Sequence, residues 1–445
     1  MGNRRLGIIV GGGPAPGINA VIGAATIEAS NRGFDVIGFY DGFRWLASEE
    51  FHRNLHTTAL QTPNVARIHF DGGSILRTSR TSLLDDTRAE EHTLVAPDPK
   101  KTAEVVRNLR ALGITHLLTI GGDDTALSAR FICDSTDENL HLVHVPKTID
   151  NDLPLPQDAS TFGFPTARYL GTQLVKNLMR DSQTTGRWYI CQTMGRSSGW
   201  LAQAIGLAAG ATLTLIPEEF APETKFQHIA DVVEAAILKR RVKGRPDGVA
   251  LIAEGLAYRL GDVEELERIL GHKVPTDVVG HPRLSEVSLA RMITDEIERR
   301  HKERGQKIAL VDHELGYELR SADPTPRDIA YCRALGYFAV QLLMQDDVAP
   351  GVLATIVNGN LHPIDLHDLI DPKTNRIIVR TVNVRSDTYR VARAYQIRLE
   401  RSDFDDPDML HRLAAEVGLS PRQFIKRYER AATRLAENQP ESDPQ

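Results

Sequence analysis

Cysteine is scarce in this 445-residue chain; Cys133, Cys191 and Cys332 are the only three. They lie far apart in sequence, so neither a CxxC metal site nor a disulfide framework is suggested. No apolar run reaches the roughly 20 residues of a membrane-spanning helix, and nothing has the pattern of a signal peptide. Charge of one sign is not in excess: 53 Lys and Arg stand against 59 Asp and Glu, a formal net charge of -6. The chain as a whole therefore carries no nucleic-acid footprint, and a cytoplasmic location is expected. Short internal repeats, low-complexity runs and obvious flexible linkers before the C-terminal tail are missing too. So is a Walker loop, because no GK[ST] follows the first glycine cluster, and the GxGxxG dinucleotide fingerprint does not occur in clean form.

What is present is an ordinary globular composition, 41% hydrophobic and 25% charged, in a chain long enough for roughly two or three domains. Its centre is Thr119-Ile120-Gly121-Gly122-Asp123-Asp124-Thr125. An apolar run from His116 to Ile120 ends on two glycines, two carboxylates and a hydroxyl. This reads as a buried parallel strand stopping at a loop that opens a helix. Glycines let backbone N–H groups approach a phosphate, and the helix offers its positive end. Paired carboxylates there suit a divalent cation between protein and phosphate. A tight strand-to-helix turn with Asp124 or Thr125 as N-cap also accounts for the residue types.

Two further segments have the same character. Residues 6–10 form a short buried strand that runs into Gly11-Gly12-Gly13-Pro14-Ala15-Pro16-Gly17. A helix over 18–31 follows, closed by Gly33. This is a phosphate-cradle arrangement, although a glycine-rich turn without ligand has the same composition. Residues 141–145 form another strand, ending at Pro146-Lys147-Thr148-Ile149-Asp150-Asn151-Asp152. Ligands of open α/β sheets bind at such carboxyl ends, and an Asp there could act as general base toward a hydroxyl. Asn-Asp pairs also make plain Asx turns. Between these segments, Asp71-Gly72-Gly73-Ser74 leads to Arg77, Thr78, Ser79, Arg80 and Thr81, which suit anionic oxygens or an exposed basic loop alike.

Strand and helix patterns then keep alternating. Strands are expected over 35–40, 188–194, 211–216, 248–253, 307–311 and 352–357. Helices are expected over 102–112, 127–133, 200–209, 226–240, 284–300 and 327–345. Such alternation argues for parallel sheets covered by helices on both faces. From Ser402 the chain is polar and helical. Leu419-Ser420-Pro421-Arg422-Gln423-Phe424 reads as a helix start, with Ser420 as N-cap, Pro421 at N1, Gln423 at N3 and Leu419 stapled onto Phe424. That helix is expected to end near Ala436, and residues 438–445 to be disordered.

Taken together, these segments resemble the phosphofructokinase family over residues 6–360. The resemblance rests on residues 12–17, Gly121-Gly122-Asp123-Asp124, residues 146–152, Met194-Gly195-Arg196, Glu254-Gly255 and Leu315-Gly316-Tyr317-Glu318-Leu319-Arg320. It implies two similar Rossmann-like, three-layer α/β domains with mostly parallel sheets, an active site in the cleft between them, and a helical C-terminal extension. It places a donor domain at 1–163 plus about 322–375, a sugar-phosphate domain at 164–321, and the extension at about 376–445, returning onto the body. The implied reaction is phosphoryl transfer to the 1-hydroxyl of fructose 6-phosphate. Asp150 corresponds to the base, Thr148 and Asp152 to its supports, and Asp123 to the carboxylate on the side of a magnesium ion. Gly12, Arg80, Gly122, Asp124, Thr125 and Lys147 correspond to donor-binding positions. Met194, Gly195, Arg196, Glu254, Tyr317 and Arg320 correspond to the sugar-phosphate side, with Arg196 also near the transferred group. Arg187 matches an arginine that reaches the 6-phosphate from a neighbouring subunit, which implies a homodimer or homotetramer.

The chain departs from the common bacterial pattern at Tyr317, where many members have His, and at Ser321-Ala322, where many have Gly-Gly. Val311 replaces a further 6-phosphate arginine, for which Lys307 or Arg283 would have to compensate. In this resemblance Asp124 fills the space of an α-phosphate and Lys147 offers a charge to pyrophosphate, so pyrophosphate is the expected donor. ATP is the alternative donor, and sedoheptulose 7-phosphate an alternative acceptor. A non-catalytic binding subunit should have lost the reacting residues, whereas Asp123, Asp150, Asp152 and Arg196 are all present.

Overall fold

The structure, a computed structural model, describes residues 4–85, 94–136, 140–156, 159–260, 266–268, 273, 288–345 and 351–433. In chain order its strands are Arg5–Val10 (β1), Asp35–Phe39 (β2), Thr57–Leu60 (β3), His116–Gly121 (β4), His141–Thr148 (β5), Phe162–Gly163 (β6), Trp188–Thr193 (β7), Leu213–Leu215 (β8), Gly248–Ala253 (β9), Leu310–Leu315 (β10), Val352–Val357 (β11) and Asn360–Asp365 (β12), with a two-residue pair at 370–371 and 376–377. Internal contacts divide the chain into two compact units, Met1–Ala167 with Tyr317–Arg380, and Arg168–Gly316 with Thr381–Gln445.

The first unit is built on a sheet of order β12-β11-β5-β4-β1-β2-β3, with β6 paired to β5. Side chains alternate across β1 as strand geometry requires. Leu6, Ile8 and Val10 meet Ile18, Val21 and Ile22 of the helix Ile18–Asn31 and Leu335 and Ala339 of the helix Pro326–Leu343 on one face. Ile9 joins Leu109 of the helix Pro99–Ala111 and Ile132 of the helix Asp123–Ser135 on the other. Three layers result. The pairs β2–β3 and β11–β12 are antiparallel, while β1, β2, β4, β5 and β11 run parallel.

In the second unit four parallel strands are ordered β10-β7-β9-β8. Trp188, Ile190, Ala250 and Ile252 face a core with the helices Phe226–Val242 and Leu289–Glu303. Leu410, Leu413 and Ala414 of the helix Pro407–Glu416, and Phe424 and Tyr428 of the helix Pro421–Tyr428, enter the same core. The C-terminal segment is thus covered on its apolar side. Arg241 of Phe226–Val242 also pairs with Glu416 at 3.3 Å.

Several element boundaries differ from expectation. The helix expected at 102 starts at Pro99, because Asp98 caps it by accepting from the N–H groups of Lys100 and Lys101. The helix expected at 127 starts at Asp123, with Gly122 as N-cap and no side-chain cap bond. Asp124 and Thr125 are therefore helical, and neither is the cap. The strand expected to stop at Val145 continues through Lys147 and Thr148, which pair with Phe162 and Gly163. The strand expected at 307–311 lies at 310–315, where every residue pairs with β7. The helix start at Ser420 has its full capping box, but the helix ends at Tyr428 and gives way to a 3-10 turn at Glu429–Ala432. Residues 284–287, Arg283, Ala436 and the tail 438–445 lie outside the described residues.

Candidate active site

In the first unit the chain passes from β1 to β2 on one side and from β4 to β5 on the other, so the sheet has its topological switch between β1 and β4. Crevices outside the carboxyl ends of strands at such a point receive ligands. Three loops meet there. Behind β1, the Gly11 N–H donates to the Ile120 carbonyl at 2.9 Å and the Gly12 N–H to the Ser79 carbonyl at 2.8 Å. The Thr78 hydroxyl donates to the Gly12 carbonyl at 2.6 Å. Gly12 holds φ +80°, and a Cβ there would lie 3.2 Å from the Lys147 ammonium. Only glycine combines that backbone with that approach. Thr125 is buried against Gly11 and Gly121, where a Cβ on either would strike its side chain.

Lys147, at the end of β5, is the cation of this cradle. It is 4% exposed and donates to the Gly13 carbonyl. Burial, with Arg320 nearby, lowers its ammonium to about 8, while Asp150, Asp123 and Asp152 pull the other way. The Arg320 guanidinium lies close to Gly13 and over the Tyr317 ring at 5.4 Å, and Tyr317 itself is exposed. Beyond β5 the Thr148 hydroxyl accepts from the Asp150 N–H at 3.0 Å. Asn151, at φ 57°, accepts from the Thr161 N–H through its side chain at 3.1 Å. Arg380 donates from its backbone to the Asp152 carbonyl at 2.8 Å. The turn carrying Asp150 and Asp152 is therefore held from both sides. Burial raises the Asp152 carboxyl to about 7, and the like charges of Asp150 and Asp123 add to it.

Three carboxylates thus share this end of the sheet with Lys147 and Arg320 as neighbouring cations. Among the described residues no group of three or more His, Cys, Asp or Glu could hold a metal unaided. A magnesium ion bound through one carboxylate plus phosphate oxygens and water needs no such group. Asp123, in the first turn of its helix, fits that single-ligand role. Asp124 beside it is exposed, as is Arg80, which follows the Ser79 carbonyl that fixes Gly12. Arg77 is committed elsewhere, paired with Asp41 at 2.9 Å and stacked over Tyr40 at 4.8 Å.

Sequence reasoning missed His144. It is fully buried on β5, with Nδ1 2.9 Å from the Thr119 hydroxyl and Nε2 3.1 Å from the Gly121 carbonyl. Burial lowers its imidazole to about 3, so the ring is neutral. A carbonyl can only accept, which places the proton on Nε2 and makes Nδ1 the acceptor for Thr119. The pair ties the carbonyl of Gly121, where β4 gives way to the Asp123 helix, to the neighbouring strand. Its signal was a histidine inside an otherwise apolar strand.

In the second unit the carboxyl ends of β10, β7 and β9 are adjacent. The Met194 N–H donates to the Leu315 carbonyl at 3.3 Å and the Gly255 N–H to the Gly195 carbonyl at 3.1 Å. A Cβ on Gly255 would approach the Arg196 carbonyl to 2.6 Å. Met194, Gly195, Arg196 and half-buried Glu254 are brought together in this way, with Arg196 exposed. Arg187 is not. It precedes β7 at the opposite end of that six-residue strand, about 20 Å away at roughly 3.3 Å per residue. Lys307 precedes β10 at the same end as Val311, which is the second residue of that strand and pairs with Tyr189 near the start of β7.

A glycine cradle at a helix N-terminus, a buried lysine and a turn with two carboxylates can bind phosphate oxygens and take a proton from a hydroxyl. The family model described as phosphofructokinase matches residues 5–343, and the chain belongs to the phosphofructokinase family. A pyrophosphate–fructose 6-phosphate 1-phosphotransferase of Thermotoga maritima is 51% identical over 426 residues, covering 96% of this chain and 98% of that one. One of Naegleria fowleri is 43% identical over 431 residues, covering 95% and 94%. Among solved structures, the T-state phosphofructokinase of Pichia pastoris superposes with a TM-score of 0.62 at 22% identity. It matches 83% of this chain, which spans only 35% of that longer one. At that identity the likeness concerns the fold alone.

Proposed function

We propose that this chain transfers a phosphoryl group from pyrophosphate to the 1-hydroxyl of fructose 6-phosphate, releasing phosphate. The observation that carries this reading is the buried Lys147 ammonium in the Gly12–Gly13 cradle, close to Asp123, with the Asp124 carboxylate exposed next along the helix. Lys147 offers charge to two linked phosphates. Asp124 repels a third phosphate and the nucleoside beyond it. The two relatives that match nearly the whole chain support the same donor.

The first unit supplies the donor side, and the second the sugar-phosphate side through Met194, Gly195, Arg196 and Glu254. Asp150 takes the proton of the attacking hydroxyl, with Thr148 and Asp152 holding it in place. Arg80 and Arg196 offset charge on the transferred group, and Arg320 serves the 6-phosphate. Asp123 would hold a magnesium ion, which would neutralise charge on the donor phosphates. Exchange between two phosphate compounds of similar stability runs in both directions. No helix among the described residues is long and apolar enough to cross a membrane.

The test is coupled turnover of purified protein with magnesium and either pyrophosphate or ATP as sole donor. Turnover with pyrophosphate and little with ATP is expected. Asp124→Gly should weaken pyrophosphate use, raising its KM by about tenfold, and raise any trace of ATP use. Faster saturated turnover with ATP in the unmodified chain would overturn the donor assignment.

A further inference from the structure

The second unit holds a cavity of about 610 Å3, walled by the helix Phe226–Val242 and the segment from Val384 to Thr433. That volume is within the roughly 300–1,000 Å3 of small-molecule sites. None of the residues assigned above to the reaction lines it. Five cations do, Arg385, Arg390, Arg393, Arg398 and Lys239, against two carboxylates, Glu219 and Glu400. Part of that charge is spent on the fold. Arg398 donates to Glu219 at 2.8 Å, and Lys239 to Asp403 at 2.7 Å. Arg393 is placed differently. It approaches Glu219 at 3.7 Å and Glu400 at 3.6 Å, too far for good hydrogen bonds. Its buried Nε has no hydrogen-bond partner among the described residues. The rest of the lining includes aromatic and aliphatic side chains beside Gln396 and Thr433. Phe220 and His228 meet edge to face at 5.7 Å, and the Tyr389 ring is buried with its hydroxyl on Glu219.

We propose that this cavity binds a small phosphate monoester with a planar organic part, and that its occupation is transmitted to the loop carrying Arg196. The guanidinium of Arg393 would take the phosphate in the forked geometry that suits it, with Arg390 at the exposed rim. The aromatic lining takes the planar part. The route to the loop is short. Glu219, bonded on the cavity side to Arg398 and Tyr389, follows Glu218 directly. Glu218 accepts from the Gly199 N–H at 2.9 Å and the Val382 N–H at 3.0 Å. Gly199 ends the 194–199 loop. A ligand drawing Arg393 away from Glu219 acts on that turn, and by linkage the sugar phosphate then alters the ligand's affinity by the same factor.

Calorimetric titration of the full chain with phenyl phosphate tests this, with fructose 6-phosphate and methylenediphosphonate present to fill the reacting-phosphate sites. One equivalent per chain is expected to bind. Inorganic phosphate and phenol should each bind at least about tenfold more weakly. Arg393→Ala should weaken phenyl phosphate by about tenfold or more. Arg390→Glu, a change at an exposed position, should weaken it by about threefold and guards against a folding defect in the first variant. In turnover assays phenyl phosphate should shift the KM for fructose 6-phosphate by about twofold or more, with kcat unchanged. No binding at about 10 mM, or equal affinity in both variants and the unmodified chain, overturns the site. Binding of phenol as tight as phenyl phosphate overturns the anionic ligand, and an unmoved KM overturns the coupling. The binding arms need no turnover, so they stand or fall separately from the donor assignment.

Discussion

Asp150 and Asp152 are two residues apart and share one electrostatic field. Burial pushes Asp152 up to about 7, with Asp150 and Asp123 as the nearest like charges. At neutral pH this coupled group of carboxylates therefore holds a proton part of the time. Asp150 is in a turn at the end of β5 and carries little packing. Asp150→Ser should leave the fold intact and lower kcat by about 10²–10⁴, the span of a lost general base, with a much smaller change in substrate affinity. Unchanged turnover in a folded variant would remove Asp150 from the role. Lys147 gives a pH prediction. Its folded-state value of about 8 is below the ordinary lysine value, so it is a cation below pH 8 and neutral above it. Stronger pyrophosphate binding by the cation means that kcat/KM for pyrophosphate falls as pH rises through about 8. Bound phosphate stabilises the ammonium, so kcat itself should fall only at higher pH. Lys147→Met should lower kcat/KM by about 10² and lose that limb. Parallel pH profiles for the two proteins would show that Lys147 does not titrate in catalysis.

At the scale of elements, Asp328 joins two helices and a strand. Its fully buried carboxylate accepts from the Gly163 N–H at 3.2 Å, the Thr166 N–H at 2.9 Å and the Thr166 hydroxyl at 2.5 Å. It thereby satisfies donors at the start of the helix Phe164–Thr185 and steadies β6 beside Lys147 and Thr148. Asp328→Asn would turn one acceptor oxygen into a donor facing donors. A loss of about 2–3 kcal/mol is expected, read from the urea midpoint by circular dichroism; a loss under about 1 kcal/mol would mean that the helix start has other support. Asp328 had no sequence signal, because its partners are more than 160 positions away. Local chemistry was easier to read. The loops after β1, β4 and β5 were legible because each puts glycine or Asp directly after an apolar run. The Ser420 capping box was complete in six residues. The β11–β12 hairpin went unread although Asn358-Gly359 names its turn, with φ of 52° and 80°. The extension of β5 through Pro146 and Lys147 was illegible, since it depends on pairing with β6, set by residues 15 positions on.

For the molecule as a whole, the position of Arg187 is the informative one. Within its own chain it is at the amino end of β7, while Met194, Gly195 and Arg196 follow the carboxyl end. A strand is stiff, so no loop movement carries Arg187 over that length to Arg196. If it serves the acceptor phosphate, it does so in a second copy of the chain. That makes the site composite and the isolated chain inactive. Inactive Asp150→Ser chains mixed with inactive Arg187→Ala chains then have a definite outcome. Where the two variants meet, one of the two shared sites combines an intact Asp150 with an intact Arg187, and the other carries both lesions. With equal, randomly exchanged subunits in a dimer, about half the molecules are mixed and each has one intact site of two, so about a quarter of the unmodified activity should return. Mass measurement must show that exchange has occurred. Full exchange with no recovered activity would place Arg187 outside the site, and full activity of Arg187→Ala alone would do so without any mixing.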